Sequence, residues 1–294
     1  MMDKVETYRG YTIVIEHDED VNSPRENDNQ ATMICFHSRY NLGDYEEAKQ
    51  YNNDPEQFWK SLSGIDEDEM EEDENSESGE TLYLYEGRYY PIEGIRGLRE
   101  AKIDAEYAYS YMGLLDHSGL HIYLGGGAHW SDGAGWDSGT IGVIYIAKKK
   151  VLDEYGHETW DEKAQATADR IFKQEVEDYD DYLTGNAWGY IIKEGVSQYV
   201  DDGGLDLAED LEEMPEVDSG WGFIGDIDYC LKEGQSIIDA TIRIKHEVEQ
   251  MERGLPKRIR RNWGRRLRKM PMFLRSRDRL NYWGKEALRQ ILED

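Results

Sequence analysis

Hydrophobic and polar positions change period several times along this chain, and each change marks an element. Residues 6–16 (ETYRGYTIVIE) alternate, with Tyr11, Ile13 and Ile15 on one side and Thr12 and Val14 on the other, which predicts a half-buried strand. Residues 31–37 (ATMICFH) predict a second strand, paired with the first. Asp54 followed by Pro55 predicts a capped helix over 56–62. Residues 82–92 read as a hairpin turning at Glu86-Gly87, and residues 97–112 as a helix with Leu98, Ile103, Tyr107 and Tyr111 near one face.

Two apolar runs, Leu120–Leu124 and Ile141–Ile146, flank a glycine-dense loop and predict a long central β-hairpin. The longest helical stripe follows over 158–182, where Ala164, Ala168, Ile171, Phe172, Val176 and Tyr179 recur at the spacing of one buried face. Residues 187–193 and 220–224 predict another strand pair, and 229–252 a further helix. The expected architecture is therefore α+β: an antiparallel sheet of hairpins covered on one face by the 158–182 helix.

Charge changes this picture at two places. Residues 65–80 hold ten carboxylates and no base, which predicts a mobile acidic insert, a solvated loop before it is a lure for a basic surface. From Arg253 to the end there are 14 Lys/Arg against 4 Asp/Glu, a net of +10, while residues 1–252 carry 20 against 59, a net of −39. The organisation expected is an acidic body over 1–252 and a basic, segmentally helical extension over 253–294. An overall charge of −29 argues against nucleic acid as a partner of the body and favours a basic protein surface. The tail, with Trp263, Phe273, Tyr282 and Trp283 among its bases, reads as a segment that docks on an acidic surface of this chain or of a neighbouring subunit. Nucleic-acid binding through phosphate contacts and stacking is its other reading.

Candidate chemistry is sparse. Asp116, His117, His121, His129, Asp132 and Asp137 form the one cluster of metal-ligand types, but on a strand positions 117 and 121 lie about 13 Å apart. A metal-dependent hydrolase built on these histidines is thus a minor reading. Cys35 and His37 share a strand face, yet a buried small hydrophobe beside a polar residue explains them better than a nucleophile and its base. Gly125-Gly126-Gly127 lacks the Lys and Ser/Thr of a phosphate loop. No catalytic, cofactor or metal residue is assigned on these grounds, and the chain is read as a non-enzyme. Cys35 and Cys230 are its two cysteines, and with no apolar run near twenty residues the expectation is a reduced, cytoplasmic protein with no membrane partner.

Three stretches carry a resemblance. They are SPRENDNQATM at Ser23–Met33, followed by His37 and Tyr40-Asn41-Leu42-Gly43-Asp44; DHSGL at Asp116–Leu120; and GWDSGTIGVIYI at Gly135–Ile146, leading to Tyr155-Gly156. Together they resemble a widespread family of acidic proteins encoded by phages, prophages and mobile elements, over about the first 230 residues and up to Ser219–Phe223 (SGWGF). Related phage proteins of this size and acidity include inhibitors of bacterial anti-phage systems, among them the anti-Gabija proteins. The resemblance implies a non-enzymatic inhibitor of a nuclease-type defence complex, acting in the host cytoplasm as a homo-oligomer. DNA mimicry is the alternative within that class. The Ser23–Asn29 loop and the Trp136-Asp137-Ser138-Gly139 segment are expected to be structural, with Trp136 filling the core.

Overall fold

A computed structural model describes residues 2–73, 80–132, 135–196 and 211–254. Its strands are β1 (Met2–Tyr8), β2 (Tyr11–His17), β3 (Thr32–Cys35), β4 (Glu72–Asp73), β5 (Leu82–Tyr85), β6 (Arg88–Pro91), β7 (Tyr107–Asp116), β8 (Leu120–Leu124), β9 (Ser138–Ala147), β10 (Ala187–Glu194) and β11 (Glu216–Ile224). Its helices are α1 (Tyr45–Ala48), α2 (Pro55–Ser63), α3 (Ile92–Glu106), α4 (Lys148–Tyr155), α5 (Glu162–Leu183) and α6 (Ile227–Gly254). Helices and antiparallel sheets together make an α+β fold. The sheets number three among the described residues, where one was expected. The acidic body likewise divides into two compact units, one of residues 22–184 and one of residues up to Val21 together with those from Gly185 on. Of the basic helical extension expected over 253–294, Arg253 and Gly254 end α6 and the rest lies outside the described residues.

In the terminal unit the sheet order is β1-β2-β10-β11. The expected 6–16 strand is in fact two, because Arg9 (φ 50°) and Gly10 (φ 83°) are both left-handed and close a tight hairpin turn. β2 pairs with β1 and β10, and not with residues 31–37. α6 lays Cys230, Leu231 and Ile238 on Tyr11, Ile13, Ile15, Tyr190 and Ile192. Lys4 bridges to Asp228 at 2.6 Å and Lys245 donates to the Tyr11 hydroxyl at 2.7 Å, tying both ends of the helix to the strands.

The 22–184 unit holds a sheet of order β3-β9-β7-β8. All six residues that its periodicity predicts are buried on α5, and five of them, Ala168, Ile171, Phe172, Val176 and Tyr179, cover one face against Met33, Met112, Leu114, Ile122 and Ile144. Asp161 caps the helix by accepting from the Lys163 and Ala164 amides. The opposite face receives Phe58, Tyr51 and Ala48 against Ile34 and Val143. α2 begins as predicted, with Asp54 accepting from the Glu56 amide and Pro55 at the first helical position.

Three expectations fail in this unit. The helix read over 97–112 ends at Glu106, and Tyr107–Met112 belong to β7, where Tyr-Ala-Tyr-Ser-Tyr alternates between faces. The central hairpin does not form: β8 and β9 both pair with β7, which lies between them. The first part of the acidic insert is packed instead of mobile. Ile65 and Glu67 are buried, Lys60 sits 3.0 Å from Asp66 and 2.6 Å from Asp68, and Arg99 pairs with Glu67. Two cations from α2 and α3 neutralise the run, and β4 then joins β5 and β6 in the third sheet. Residues 74–79 are outside the described set.

The resemblance motif has a clear structural job. Arg25, its side chain 4% exposed, donates to both carboxylate oxygens of Asp44 (2.9 and 2.7 Å), to Glu175 on α5 (2.7 Å) and to the Ala31 carbonyl (2.8 Å). Asp44 also accepts from the Met33 amide, and Glu175 from the Gln30 and Ala31 amides. Burial opposes the Arg25 charge, but the bonds to Asp44 and Glu175 outweigh it and raise its pKa above the ordinary value. Removing one member of such a network leaves buried charge uncompensated. Arg25→Ala is therefore expected to lower unfolding free energy by about 3–5 kcal/mol in urea titration, and a loss below about 1 kcal/mol would contradict the assignment.

Candidate functional site: the tryptophan loop

β8 and β9 run in the same direction on either side of β7, so the chain from Leu124 to Ser138 must cross the sheet. α5 occupies one face, and the connection takes the other. Gly113 on β7 makes this possible: a Cβ there would run into the Tyr123 ring, which lies over it from the paired position on β8. Tyr123 then donates its hydroxyl to the Gly127 carbonyl at 2.7 Å.

Further hydrogen bonds pin the loop at both ends. The Gly125 amide donates to the Tyr111 carbonyl (2.7 Å) and the Gly127 amide to Thr140 Oγ1 (2.8 Å). The His129 amide donates to Ser138 Oγ (2.8 Å), which itself donates to Asp132 Oδ2 (2.8 Å). That same oxygen accepts from the Asp137 amide at 2.9 Å. The Ser138 hydroxyl first, then the amides of Asp137, Trp136 and Gly135, hold the Asp132 carboxyl below its ordinary pKa of 3.8. Residues 133–134 are outside the described set.

This pinned backbone presents Trp130 at 89% exposure and Trp136 at 86%. Trp136 does not fill the core, contrary to expectation; Asp132 and Ser138 satisfy the loop backbone without it. Large rings turned fully to water are unusual enough to mark interaction sites, and Trp leads the residue types that anchor them. Two groups of rings accompany them: Trp59 lies 5.3 Å from Tyr109 and 6.4 Å from Tyr111, and Tyr123 lies 4.8 Å from His129, which lies 5.3 Å from Trp130. Residues 103–147 supply all of these except Trp59, and they contain five Asp/Glu with neither Lys nor Arg.

No protein-family model matches the chain, and no curated protein or solved structure matches it. The assignment of a site therefore rests on geometry alone.

The residues singled out by type are dispersed. His117 Nδ1 lies 3.1 Å from Asp137, His121 Nδ1 lies 3.5 Å from Asp180, and His129 Nδ1 lies 2.7 Å from Ser131. Among the described residues no three His, Cys, Asp or Glu side chains converge as a metal site would require. Asp116 instead accepts from Arg39 and Tyr40. Cys35 is buried beneath α5, where burial and then the Asp44 charge push its thiol up to about 12. His37 turns away to accept from the Arg39 and Tyr40 amides and to stack on Tyr40, so the two do not form a nucleophile and base. The pairing of Arg25 with Asp44 and Glu175 escaped sequence reading, although Arg25 lies in the Ser23–Asn29 loop expected to be structural and Asp44 ends the Tyr40–Asp44 stretch. The signal for Glu175 was a carboxylate beside Val176 and four residues after Ile171 on the buried stripe of α5.

The loop anchor is testable. Asp132→Ala is expected to leave the fold intact while hydrogen exchange at the Asp137 amide accelerates toward that of an unbonded loop amide. A carboxylate with lowered folded pKa contributes fully above 3.8, and its contribution is lost as pH falls through the lower folded value. Wild-type exchange should therefore loosen only in that acidic window. Unchanged protection in the variant would remove Asp132 as the anchor.

Proposed function

We propose that this chain works by binding: it is a phage-encoded, non-enzymatic inhibitor that docks on a bacterial anti-phage defence complex of the nuclease type, Gabija among them, and blocks DNA binding or cleavage. The observation that carries this reading is the pair of exposed tryptophans on a hydrogen-bonded loop. The amides of Gly127, His129 and Asp137 are already bonded within the loop, which lowers the ordering entropy spent there on association. The resemblance in the first 230 residues supplies the class of partner.

Charge supports the same direction. Residues 22–184 carry 36 Asp/Glu against 14 Lys/Arg, a net of −22. A nuclease presents basic surface to DNA, and an acidic protein can occupy it and be steered to it. The inhibitor acts in the host cytoplasm, and assembly into a homo-oligomer would add avidity. The same charge balance favours a narrower reading in which the acidic surface imitates DNA. That reading demands that DNA compete for the target and that salt weaken the complex steeply.

Titration of the purified Gabija complex tests the proposal. Inhibition should saturate at a fixed molar ratio, and Trp130→Ala with Trp136→Ala should raise the concentration needed by about 30-fold or more, as loss of a hot spot worth about 2 kcal/mol does. Loss of nuclease activity at catalytic amounts of the protein, or full potency of the double variant, would contradict it.

A further inference from the structure

We infer that the group seated on Trp130 and Trp136 is an arginine-bearing, basic protein segment, held by guanidinium stacking on the indole rings and by carboxylates at the loop. This rests on the reading of the chain as a binding protein and adds the chemistry of the contact.

The rings themselves point to a cation. The indole face is the strongest cation receptor among side chains. Trp160 receives a cation from the chain's own bases, with Lys148 5.0 Å over its ring, as do the phenol rings of Tyr40 (Arg39, 5.3 Å) and Tyr11 (Lys245, 5.2 Å). Trp130 and Trp136 have no such cation among the described residues, and the 45 residues of sequence around them contain none to offer. What they have is negative: Asp137, adjacent to Trp136, is half exposed and engages His117 at 3.1 Å. Asp132 has its Oδ2 committed to the loop, which fixes the geometry and leaves Asp137 as the carboxylate facing a partner.

Two arguments select arginine over lysine and over an apolar knob. A planar guanidinium stacks on an indole and still donates edgewise to a carboxylate, whereas an ammonium does so only as a hydrated point charge. An apolar knob would leave the net charge of −22 without a counterpart. A polyanion would be repelled by it.

Two fluorescently labelled nonapeptides of equal charge test this, one alternating Gly with Arg and the other Gly with Lys. Attraction to net charge is common to both. Any arginine preference of the body's other carboxylates persists in a variant without the tryptophans, so the contact is read as the change in the ratio of dissociation constants between the wild type and that variant. The wild-type protein should prefer the arginine peptide about three- to tenfold. Trp130→Leu with Trp136→Leu should lose most of that preference, and the corresponding Phe variant should retain more of it, since phenyl is a weaker cation receptor and leucine is none. Both sites face water, so folding is unaffected, and circular dichroism checks it. A wild-type protein without arginine preference, or a Leu variant that keeps it, would overturn the inference. Because no defence complex is in the assay, its outcome is independent of the inhibition titration.

Discussion

The fold of the 22–184 unit turns on one topological constraint: β8 and β9 lie on opposite sides of β7 and run the same way, so the chain between them has to cross a sheet face. A side covered by α5 leaves a single route, and that route is paved with aromatic rings. A glycine at position 113 lets the Tyr123 ring lie flat and offers its hydroxyl to the crossing segment. From there Thr140, Ser138 and Asp132 take up the loop amides in turn. With its backbone satisfied from within, the segment has no need to bury its tryptophans, and they remain free for another molecule.

A second constraint comes from acidity. A unit with a net charge of −22 can bury carboxylates only where a cation meets them. Arg25 does this for Asp44 and Glu175, and Lys60 with Arg99 does it for the 66–68 run. Arg25 and Arg99 join segments distant in sequence, while Lys60 holds the residues just after its own helix, so these networks fix which parts of the chain lie together. The SPREN and YNLGD stretches are therefore structural signatures, while the GWDSG stretch belongs to the presented loop.

Local chemistry was legible in the sequence and long-range pairing was not. The buried stripe of α5, the Asp54-Pro55 helix start and the Glu86-Gly87 turn each depend on a few neighbouring residues, and each stands where periodicity and capping placed it. Strand partners depend on residues far along the chain, and alternation says nothing of them. That is why β2 was matched to residues 31–37, and why β8 and β9 were joined across a turn when β7 separates them. Tyr107–Met112 misled because alternating tyrosines preceded by a helix also satisfy a helical spacing. Trp136 misled for another reason: apolar size predicts burial only on average, and this ring stands 86% exposed on its loop.

The two tryptophans thus join the fold to its proposed use, one set by a crossing that the sheet order forces, the other by charge that favours a basic partner. Hydroxyl-radical footprinting of the protein alone and bound to the Gabija complex tests that link most directly. Trp130 and Trp136 are expected to oxidise fast in the free protein and to become strongly protected in the complex, beyond any change at Tyr229 or Trp221, exposed rings of the other unit. Equal oxidation of Trp130 and Trp136 in the two states, with complex formation confirmed, would contradict the account.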